Sequence, residues 1–571
     1  MSHDTTEAQQ LPDVATLTHM MWETQLANGK KVKAEVDADC EHAREVQEAM
    51  LFDLLAKNAN TPYGLEHGFA SIKTVDDFKR ACPPSTYDDY AGYIYEVMEH
   101  GTDGVVTAGH IDHFSETSGT MGNPKGIPYT AEMETALYGY GNDYAIALVD
   151  RDLGPVLAEG RKFSMMECHL KTLKGGATFG ALSSKGVMGY KQILPALTTS
   201  PEEAVFSKNG TDTRYLHARF LLQARDCRLF TSVFMSSLLD MMRYIEDNWP
   251  MLVHDIETGT VDESVQLLDE DRATLLPKLS PMPDRAAELR AAFEEGFDTP
   301  IMQRIWPDAK LLWTVAGAGF APYTERMRRY SGDLPINYAG YSASEGLFSV
   351  PVAIDDARSV LLPRNAYYEF LPLGETDYAK TIGVEDLKEG QSYEIIVTTR
   401  GGFYRYLMRD AIKCVGHKGT MPLMEFLFRI DQTVNIAGEK TTELVLRNAA
   451  DRVANRMGLD LVDFSCHPSV DVQPPRYEML YEFHGTNPEA IDRDELSRIT
   501  DEEIRAGNYD MAYMTEDGTF QPAVAHVLQP ETNLLWRDMR VMKGAAPNQI
   551  KPVHVLDNEQ KRRFFFALIE R

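Results

Sequence analysis

The stretch that decides the fold is Thr117-Ser118-Gly119-Thr120-Met121-Gly122-Asn123-Pro124-Lys125-Gly126-Ile127. It follows an apolar, strand-like run that ends at Phe114, and it precedes a helical pattern that Thr130 opens. Its glycines let backbone N–H groups approach an anion closely, and its hydroxyls add further hydrogen-bond donors. Lys125 supplies a mobile positive charge. We therefore expect a phosphate-binding loop between a strand and a helix.

Two other interpretations of this loop are weaker. A Walker P-loop, G-x-x-x-x-G-K-[ST], has a different spacing. Here Pro124 precedes the lysine, and Gly126 stands where Ser or Thr would bind magnesium. An ordinary glycine-rich turn would account for the glycines, but not for the hydroxyls and the lysine together. The stretch thus predicts an anion site of another class.

Composition argues against some classes of partner. Lys and Arg number 57 against 86 Asp and Glu, so the formal net charge is -29. An acidic chain repels nucleic-acid phosphates and anionic membranes, which argues against both as main partners. The 6 scattered cysteines include no C-x-x-C pair, and the polar start lacks a signal-peptide core. No apolar run reaches the roughly 18–20 residues that span a bilayer, so we expect a soluble, cytoplasmic protein.

Hydrophobic periodicity predicts an α/β fold with mixed sheets. The predicted helices are 17–58, 131–149, 215–249, 286–297 and 443–457. The predicted strands are 310–316, 335–339, 367–373, 393–399, 411–415, 477–483 and 523–528, and we expect loops and short strands over 171–191. A boundary near residues 429–432 predicts two domains, 1–430 and a smaller α+β domain, 431–571.

Two polar clusters follow predicted strands. Residues 341–345, Tyr-Ser-Ala-Ser-Glu, combine a ring, two hydroxyls and a carboxylate, which suit a purine, phosphate oxygens and a divalent cation. Asp410 follows a run of rings and cations, and one ionised carboxylate accepts hydrogen bonds from both hydroxyls of a ribose. Glu345 or Asp410 alone would be assigned to surface ion pairs. Their occurrence together with the loop favours a nucleotide site.

Together these motifs resemble those of a known protein superfamily. Residues 117–127 resemble the phosphate loop of the acyl-adenylate-forming superfamily, T-S-G-T-T-G-x-P-K-G-V. Residues 317–319 and 341–345 resemble its adenine segment and its Y-G-x-T-E motif. Residues 406–410 are similar to Y-x-T-G-D, and residues 429–443 to the hinge motif G-R-x-D…G…E. The resemblance implies a large adenylate-forming domain with a small β-barrel-like part, and a small mobile C-terminal domain.

Within that superfamily, the chain most resembles the acyl acid amido synthetases of the Gretchen Hagen 3 family. Residues 245–259 are similar to its E-x-x-W…D-D-I-x-T-G segment, 368–372 to Y-F-E-F-L-P, and 402–406 to G-L-Y-R-Y. Residues 438–441 resemble G-E-K-T, and 548–551 resemble N-Q-x-K. The acyl-CoA synthetase ending P-K-T-x-x-G-K is missing from the sequence, which favours an amine acceptor over coenzyme A.

The resemblance implies adenylation of a small carboxylic acid by ATP with Mg²⁺, then transfer of the acyl group to an amine such as an amino acid. The residues that it implies for ATP are Thr117, Ser118, Gly119, Thr120, Lys125, Gly317, Ala318, Tyr341, Ser344, Asp410 and Arg429. Glu345 would bind the metal, and Lys551 and Lys440 would be catalytic. We expect the side chains that select the acid within 171–191 and 215–234.

Two positions depart from the family pattern. Arg409 stands where members carry glycine, and Val553 and His554 replace the arginine that follows N-Q-x-K-x-P. Two alternative functions therefore remain: an acyl-CoA or other acyl-adenylate ligase, and a nucleotide- or acid-binding protein without turnover.

Two further sets of residues could suggest a metal site or a catalytic base, but neither predicts one. Glu167, Cys168 and His169 are consecutive, so a strand would point them to alternate faces, which argues against a shared metal. His217, in a helical pattern, is interpreted as a packed or surface histidine.

Overall fold

The computed structural model describes residues 13–116, 125–207, 210–317, 320–430, 433–434, 436, 439, 441–545 and 550–570. Helices and strands alternate along these residues, which confirms the predicted α/β class. Every helix in these ranges is too short or too polar to cross a membrane.

The first half of the chain is mainly helical. Its helices are α1 (Val14–Glu41), α2 (Ala43–Lys57), α3 (Pro62–Glu66), α4 (Val75–Ala81), α5 (Ala91–His100), α6 (Ala131–Ala136), α7 (Tyr144–Leu153), α8 (Leu182–Met188), α9 (Leu194–Leu197), α10 (Glu202–Val205), α11 (Thr213–Gln223), α12 (Met235–Thr258), α13 (Asp269–Leu275), α14 (Pro283–Glu294), α15 (Met302–Ile305) and α16 (Ala321–Ser331). Its strands are β1 (Ile111–Glu116), β2 (Gly126–Thr130), β3 (Arg161–Ser164), β4 (Leu170–Thr172), β5 (Thr178–Gly180), β6 (Cys227–Phe234), β7 (Leu311–Val315) and β8 (Ile336–Tyr338).

The middle of the chain is formed by strands, and the last part combines both kinds of element. The strands are β9 (Ser342–Ala343), β10 (Gly346–Leu347), β11 (Ser349–Pro351), β12 (Ser359–Leu361), β13 (Ala366–Pro372), β14 (Ser392–Thr399), β15 (Tyr406–Lys418), β16 (Met421–Arg429), β17 (Thr433–Val434), β18 (Thr441–Thr442), β19 (Asp460–Ser469), β20 (Arg476–His484) and β21 (Val524–Val527). The helices are α17 (Glu443–Met457), α18 (Arg493–Gly507), α19 (Tyr509–Glu516), α20 (Thr532–Met542) and α21 (Glu559–Ala567).

A parallel sheet with the order β3-β6-β7-β8 positions much of the site. Helices α11, α12, α14 and α16 bury its apolar side chains, among them Phe230, Leu312 and Ile336. Because the strands are parallel, their carboxyl ends share one edge, where ligands bind in open α/β sheets. Helix α16 follows β7 at this edge, and β9 follows β8.

Strand β6 was predicted wrongly as helix within 215–249. Its sequence, Cys-Arg-Leu-Phe-Thr-Ser-Val-Phe, lies between β3 and β7 in the sheet. A buried parallel strand is a short apolar run, which periodicity alone does not distinguish from a buried helix. The helical patterns of α11 and α12 lie on either side of β6, so the helix prediction was continued across the strand.

A second sheet has the order β11-β12-β16-β15-β14-β13, with antiparallel pairs. Among the described residues, β11 and β13 are its end strands and do not pair with each other. This sheet packs against α1, α2 and α5 in a large core that includes Leu51, Tyr368 and Ile395.

The C-terminal part has its own core. Sheet β19-β20-β21 packs against α17 and α18 through side chains such as Leu446, Met479 and Leu496. The predicted helix 443–457 is confirmed as α17: Thr442 accepts a hydrogen bond from Val445 N at its start, and Gly458 ends it with φ 66°. The left-handed conformation at that position suits glycine.

Candidate active site

The carboxylate of Asp410 connects two of the predicted motifs. Asp410 on β15 pairs in register with Arg429 on β16, and Arg429 Nε donates a 3.0 Å hydrogen bond to Asp410 Oδ1. Tyr341 Oη donates a 2.6 Å hydrogen bond to the other oxygen, Oδ2. Asp410 is only 2% exposed, and each of its oxygens retains a second lone pair. The structure therefore brings together three residues that the sequence assigned to ATP.

Backbone geometry next to Tyr341 requires a glycine. Gly340 has φ 76°, and a Cβ there would lie 2.3 Å from the carbonyl oxygen of Ser349. The close approach lets Tyr341 N donate a 2.8 Å hydrogen bond to Ser349 Oγ. The Tyr341 ring then packs against Phe348 and Phe426, with centroid distances of 5.3 and 5.7 Å. The ring is held firmly at the end of β8.

Neighbouring groups keep the Tyr341 phenol protonated and the Arg429 guanidinium charged. Burial, and then the Asp410 carboxylate, raise the pKa of Tyr341 well above its ordinary value, so the phenol remains a donor. Asp410 in turn raises the pKa of Arg429, which remains a cation. The group therefore offers a positive charge and an ionised acceptor side by side.

The predicted phosphate-binding loop is flanked by two paired antiparallel strands, β1 and β2. Residues 117–124, including Thr117, Ser118, Gly119 and Thr120, lie outside the described residues. The flanking strands pair from Ile111↔Thr130 to Glu116↔Gly126, so β2 intervenes where a direct strand-to-helix connection was predicted. Thr130 is nevertheless the N-cap of α6, as predicted. The loop therefore closes a β-hairpin.

Two contacts relate the ends of this loop to the rest of the site. Lys125 is exposed, and its Nζ lies 4.8 Å from the centroid of the Tyr87 ring. At the other end, Ser344 Oγ donates a 3.3 Å hydrogen bond to the carbonyl oxygen of Glu116. The 341–345 stretch thus lies against the residue that directly precedes Thr117.

Glu345 lies in the turn between β9 and β10 and is half-buried. Burial raises its pKa, while Arg429 and Lys551 act in the opposite direction and Asp410 adds to the rise. Among the described residues, no group of three or more His, Cys, Asp or Glu side chains could hold a metal ion. A divalent cation at Glu345 would thus need other oxygens, such as those of phosphates, which suits Mg²⁺.

The end of β7 contributes Gly317, two residues beyond Val315. The carbonyl oxygen of Gly317 accepts a 2.9 Å hydrogen bond from Phe320 N. Ala318 lies outside the described residues. Gly317 is thus at the same sheet edge as Tyr341, because β7 and β8 are parallel neighbours.

Lys551 reaches this edge from the C-terminal part. Its Nζ lies 6.0 Å from the centroid of the Phe234 ring at the end of β6. The side chain is exposed to solvent, yet the surrounding protein atoms lower its pKa, as does Arg429. Asp410, Glu443 and Glu345 oppose this shift. Lys440, the other predicted catalytic lysine, lies outside the described residues.

The segment after Lys551 is attached to β19. Cys466 N donates a 2.9 Å hydrogen bond to the carbonyl oxygen of His554, and Leu556 N donates one of 2.9 Å to that of Cys466. The His554 imidazole stacks on Phe464, with ring centroids 4.5 Å apart and planes at 3°. These contacts hold the chain three residues from Lys551.

His554 also bridges two carboxylates, which sequence reasoning missed. Its Nδ1 lies 2.6 Å from Glu443 Oε1, and its Nε2 lies 2.9 Å from Asp463 Oδ1. Burial disfavours the imidazolium, but Asp463 and Glu443 outweigh it and raise the pKa of His554. Asp463 Oδ1 also accepts a 3.1 Å hydrogen bond from Tyr323 Oη on α16. The histidine that departs from the family pattern thus has a defined structural role.

Arg409 points to different partners from Asp410. It has φ 56°, in the region that favours glycine, and lies in a bulge where Asp410 and Leu407 oppose Ile395 and Ile396. Its Nη1 donates hydrogen bonds of 2.9 Å to Glu394 Oε1 and 3.0 Å to Tyr378 Oη. The arginine is therefore accommodated without displacing the Asp410 contacts.

Comparisons with known proteins identify the family of the chain. Family models match over three ranges: the GH3 family N-terminal domain at residues 32–336, the central domain at 359–429 and the C-terminal domain at 441–560. A jasmonoyl–L-amino acid synthetase of Nicotiana attenuata is 28% identical over 492 residues, which are 82% of this chain and 84% of the relative.

Two solved structures share the fold. The GH3.15 acyl acid amido synthetase superposes with a TM-score of 0.83 at 22% identity, covering 94% of this chain and 96% of that one. A 2-hydroxyisobutyryl-CoA ligase in a postadenylation state gives a TM-score of 0.55 at 12% identity, covering 94% and 92% of the two chains. Both confirm the adenylate-forming fold that the motifs predicted. On the family match over more than half of its length, this chain belongs to the GH3 family.

Proposed function

We propose that the protein is an ATP-dependent acyl acid amido synthetase. A small carboxylic acid attacks the α-phosphorus of ATP, which forms an acyl-adenylate and releases pyrophosphate. An amine, which we propose to be that of an amino acid, then attacks the acyl carbon; AMP leaves, a proton is released and an amide forms. The names of the similar proteins support this reaction, since they include a jasmonoyl–L-amino acid synthetase and an acyl acid amido synthetase.

The observation that carries the proposal is the hydrogen-bonded group of Tyr341, Asp410 and Arg429. These residues belong to three separate motifs, which the family resemblance together assigned to ATP. Ser344 also contacts Glu116, the residue that directly precedes the proposed phosphate loop in the sequence. Joint placement of this kind supports one nucleotide site.

The proposed roles follow from the chemistry of the side chains. Thr117, Ser118, Gly119, Thr120 and Lys125 hold the polyphosphate, while Gly317, Ala318, Tyr341 and Ser344 surround the adenine and phosphate oxygens. Asp410 accepts hydrogen bonds from the ribose hydroxyls, beside Arg429. Lys551 stabilises the negative charge that develops during adenylation, and Lys440 lies beside the nucleotide. Positioned cations of this kind contribute mainly by electrostatic stabilisation.

Mg²⁺ fits this set of donors. Glu345 offers one partly exposed carboxylate, and Mg²⁺ typically takes one or two carboxylates together with substrate phosphates and water. When bound, the ion would neutralise phosphate charge. The positive charges of Arg429 and Lys551 oppose the rise in the pKa of Glu345 that burial causes.

We also propose the division into residues 1–430 and 431–571. It is supported by the apolar cores: within the described residues, every apolar cluster lies wholly on one side of this boundary. Lys551 would then be delivered to the nucleotide by a separate C-terminal unit. A cytoplasmic location, with neither nucleic acid nor a membrane as a partner, stays a prediction of the sequence.

A screen of pyrophosphate release tests the function. The protein is mixed with ATP, Mg²⁺ and a panel of aryl and alkyl acids, first alone and then with each of the twenty amino acids. We expect slow, acid-dependent release alone, and continuous release with AMP and amide formation when the right amino acid is added.

Two further readouts separate the alternatives. Hydroxylamine should trap the acyl-adenylate as a hydroxamate, and coenzyme A should not be consumed. Consumption of coenzyme A in place of the amine would identify an acyl-CoA ligase. ATP binding without pyrophosphate release for any acid would identify a binding protein.

A further inference from the structure

Lys551 stands between two sets of carboxylates. Asp410 and Glu345 belong to the proposed nucleotide site, whereas Glu443 begins α17 in the C-terminal part. The surrounding protein atoms, and then Arg429, lower the pKa of Lys551, and all three carboxylates oppose this shift. Within the described residues, Lys551 nevertheless forms no ion pair with any of them. Its ammonium group can therefore move toward either set.

The carboxylate of Glu443 is close to Lys551. Its side chain is 14% exposed, and each of the two residues shifts the pKa of the other. Burial alone would raise the pKa of this carboxyl, but His554, Arg447 and Lys551 lower it to about 2. An ammonium group on a flexible four-carbon chain readily forms an ion pair with an ionised carboxylate. Without another partner, Glu443 would therefore draw Lys551 away from the nucleotide.

Two buried cations already bind Glu443. His554 Nδ1 lies 2.6 Å from Glu443 Oε1, and Arg447 Nη2 donates a hydrogen bond to the same oxygen. Because Nδ1 faces an ionised carboxylate at this distance, it carries a proton. Arg447 Nη2, which lies 3.0 Å from His554 Nδ1, is then a second donor to the shared acceptor. Both side chains are buried, so solvent screens these contacts little.

The other nitrogen of the imidazole is bound from β19. His554 Nε2 lies 2.9 Å from Oδ1 of the buried Asp463, which also accepts a hydrogen bond from Tyr323 Oη. Burial disfavours the imidazolium, but the two carboxylates outweigh burial and raise the pKa of His554. Two buried cations, those of His554 and Arg447, thus face two buried carboxylates, and the charges cancel. Loss of the imidazolium charge would leave one negative charge without a partner in this group.

We propose that His554 is a positioning residue for Lys551: its positive charge neutralises Glu443, so that the Lys551 ammonium group acts on the nucleotide instead of pairing with Glu443. The proposal rests on the amido synthetase function above, and it adds a residue to the adenylation step. The backbone hydrogen bonds between the His554 segment and Cys466 hold the chain whether or not the imidazole is charged, so the role of the imidazole is electrostatic. A histidine can fill this role where the family pattern has an arginine, because both supply a cation.

A double-mutant cycle on His554 and Glu443 tests this role. His554→Gln keeps a hydrogen-bond donor but removes the charge. Because Lys551 is then misplaced, the kcat of acid-dependent ATP–pyrophosphate exchange should fall about tenfold or more, with the KM for ATP within about twofold of wild type. Adding Glu443→Gln removes the competing carboxylate, so exchange by the double variant should return to that of Glu443→Gln alone. Arg447→Gln, which removes the other cation, should act in the same direction as His554→Gln and replaces it if that variant does not fold.

His484→Gln is the matched control for loss of a histidine charge. His484 also lies between two carboxylates, 3.2 Å from Asp247 and 3.4 Å from Asp460, but it is on β20 and outside the segment that carries Lys551. Its exchange activity should stay within about twofold of wild type, as expected for an independent site. An equal loss of exchange in His484→Gln and His554→Gln would contradict a specific role of His554.

Chemical labelling of Lys551 gives a readout that does not depend on turnover. The folded proteins are treated with an amine-acylating reagent, and peptide mass spectrometry compares Lys551 with the exposed Lys543 of the same molecule. An ion pair with Glu443 would raise the pKa of Lys551, so its labelling should fall several-fold in His554→Gln and recover in the double variant. Unchanged labelling and exchange in His554→Gln, or an exchange loss that Glu443→Gln does not restore, would overturn the assignment. Absence of exchange in the wild type for every acid would instead reject the proposed function, while the labelling would still decide whether His554 keeps Lys551 from Glu443.

Discussion

The phenol of Tyr341 donates a 2.6 Å hydrogen bond to the carboxylate of Asp410, 69 residues further along the chain. This bond joins the end of a parallel strand to a strand of the antiparallel sheet. It places an aromatic ring beside an ionised carboxylate, and Arg429 balances the charge.

Replacing Asp410 by Asn is expected to weaken ATP binding. The change removes the charge that Arg429 balances and one anionic acceptor for the ribose, and hydrogen bonds to charged groups contribute roughly 1.5–3 kcal/mol. Titration calorimetry with ATP should show a Kd raised by about tenfold or more. Tyr341→Phe keeps the Asp410 charge and should weaken binding less. Unchanged ATP affinity in Asp410→Asn would remove the ribose assignment.

Replacing Lys551 by Ala should reduce adenylation by ~10²–10³-fold, the scale on which one preorganised donor acts in a transition state. The side chain is exposed, so the thermal unfolding temperature should hardly change. Lys543→Ala removes an exposed lysine from the same C-terminal part and serves as the control. Pyrophosphate release is the measurement, and near-normal release by Lys551→Ala would refute its catalytic role.

Replacing Arg409 by Gly is expected to change stability more than turnover. Glycine adopts the left-handed backbone without the cost of ~1–2 kcal/mol that a side chain adds there. The change also leaves the buried Glu394 without the Arg409 guanidinium, which costs about 1–3 kcal/mol or more. We expect a lower unfolding temperature, restored in part by adding Glu394→Gln. Pyrophosphate release should stay within a few-fold of wild type. A large gain in turnover would mean that Arg409 obstructs the site.

Stability is expected to fall at alkaline pH through His484 on β20. Asp247 on α12, and then Asp460, raise the pKa of His484 to about 9. Since the unfolded pKa is about 6.5, this stabilisation is complete below about pH 6.5 and is lost as pH rises through about 9. Its size is at most ~2 kcal/mol, because Asp247 is well exposed.

Thermal unfolding of wild type and His484→Gln between about pH 6 and pH 9.5 measures this contribution. The difference between the two proteins should shrink as pH rises, because only the wild type loses the ion pair. His254→Gln, an exposed histidine on the same helix as Asp247, is the control. A difference that does not depend on pH would contradict the ion pair.

Much of the proposed nucleotide site could be predicted from the sequence because its elements are local. A glycine at a turn, a carboxylate after a strand and a ring next to Gly340 each depend on a few consecutive residues. Their order along the chain was sufficient to indicate the adenylate-forming fold and the family. The amphipathic helices, such as α17, were predicted for the same reason.

Only the tertiary structure decided which distant side chains share a charge or a hydrogen bond. Predicting strand β6 required knowledge of its neighbours β3 and β7, because a buried parallel strand lacks a distinctive hydrophobic period. The bridge from His554 to Asp463 spans 91 residues, and the approach of Arg537 to Glu167 joins two parts of the chain. Contacts of this kind depend on how whole helices and strands pack. The local residue pattern therefore indicated the nucleotide chemistry, whereas packing determined which distant side chains lie together.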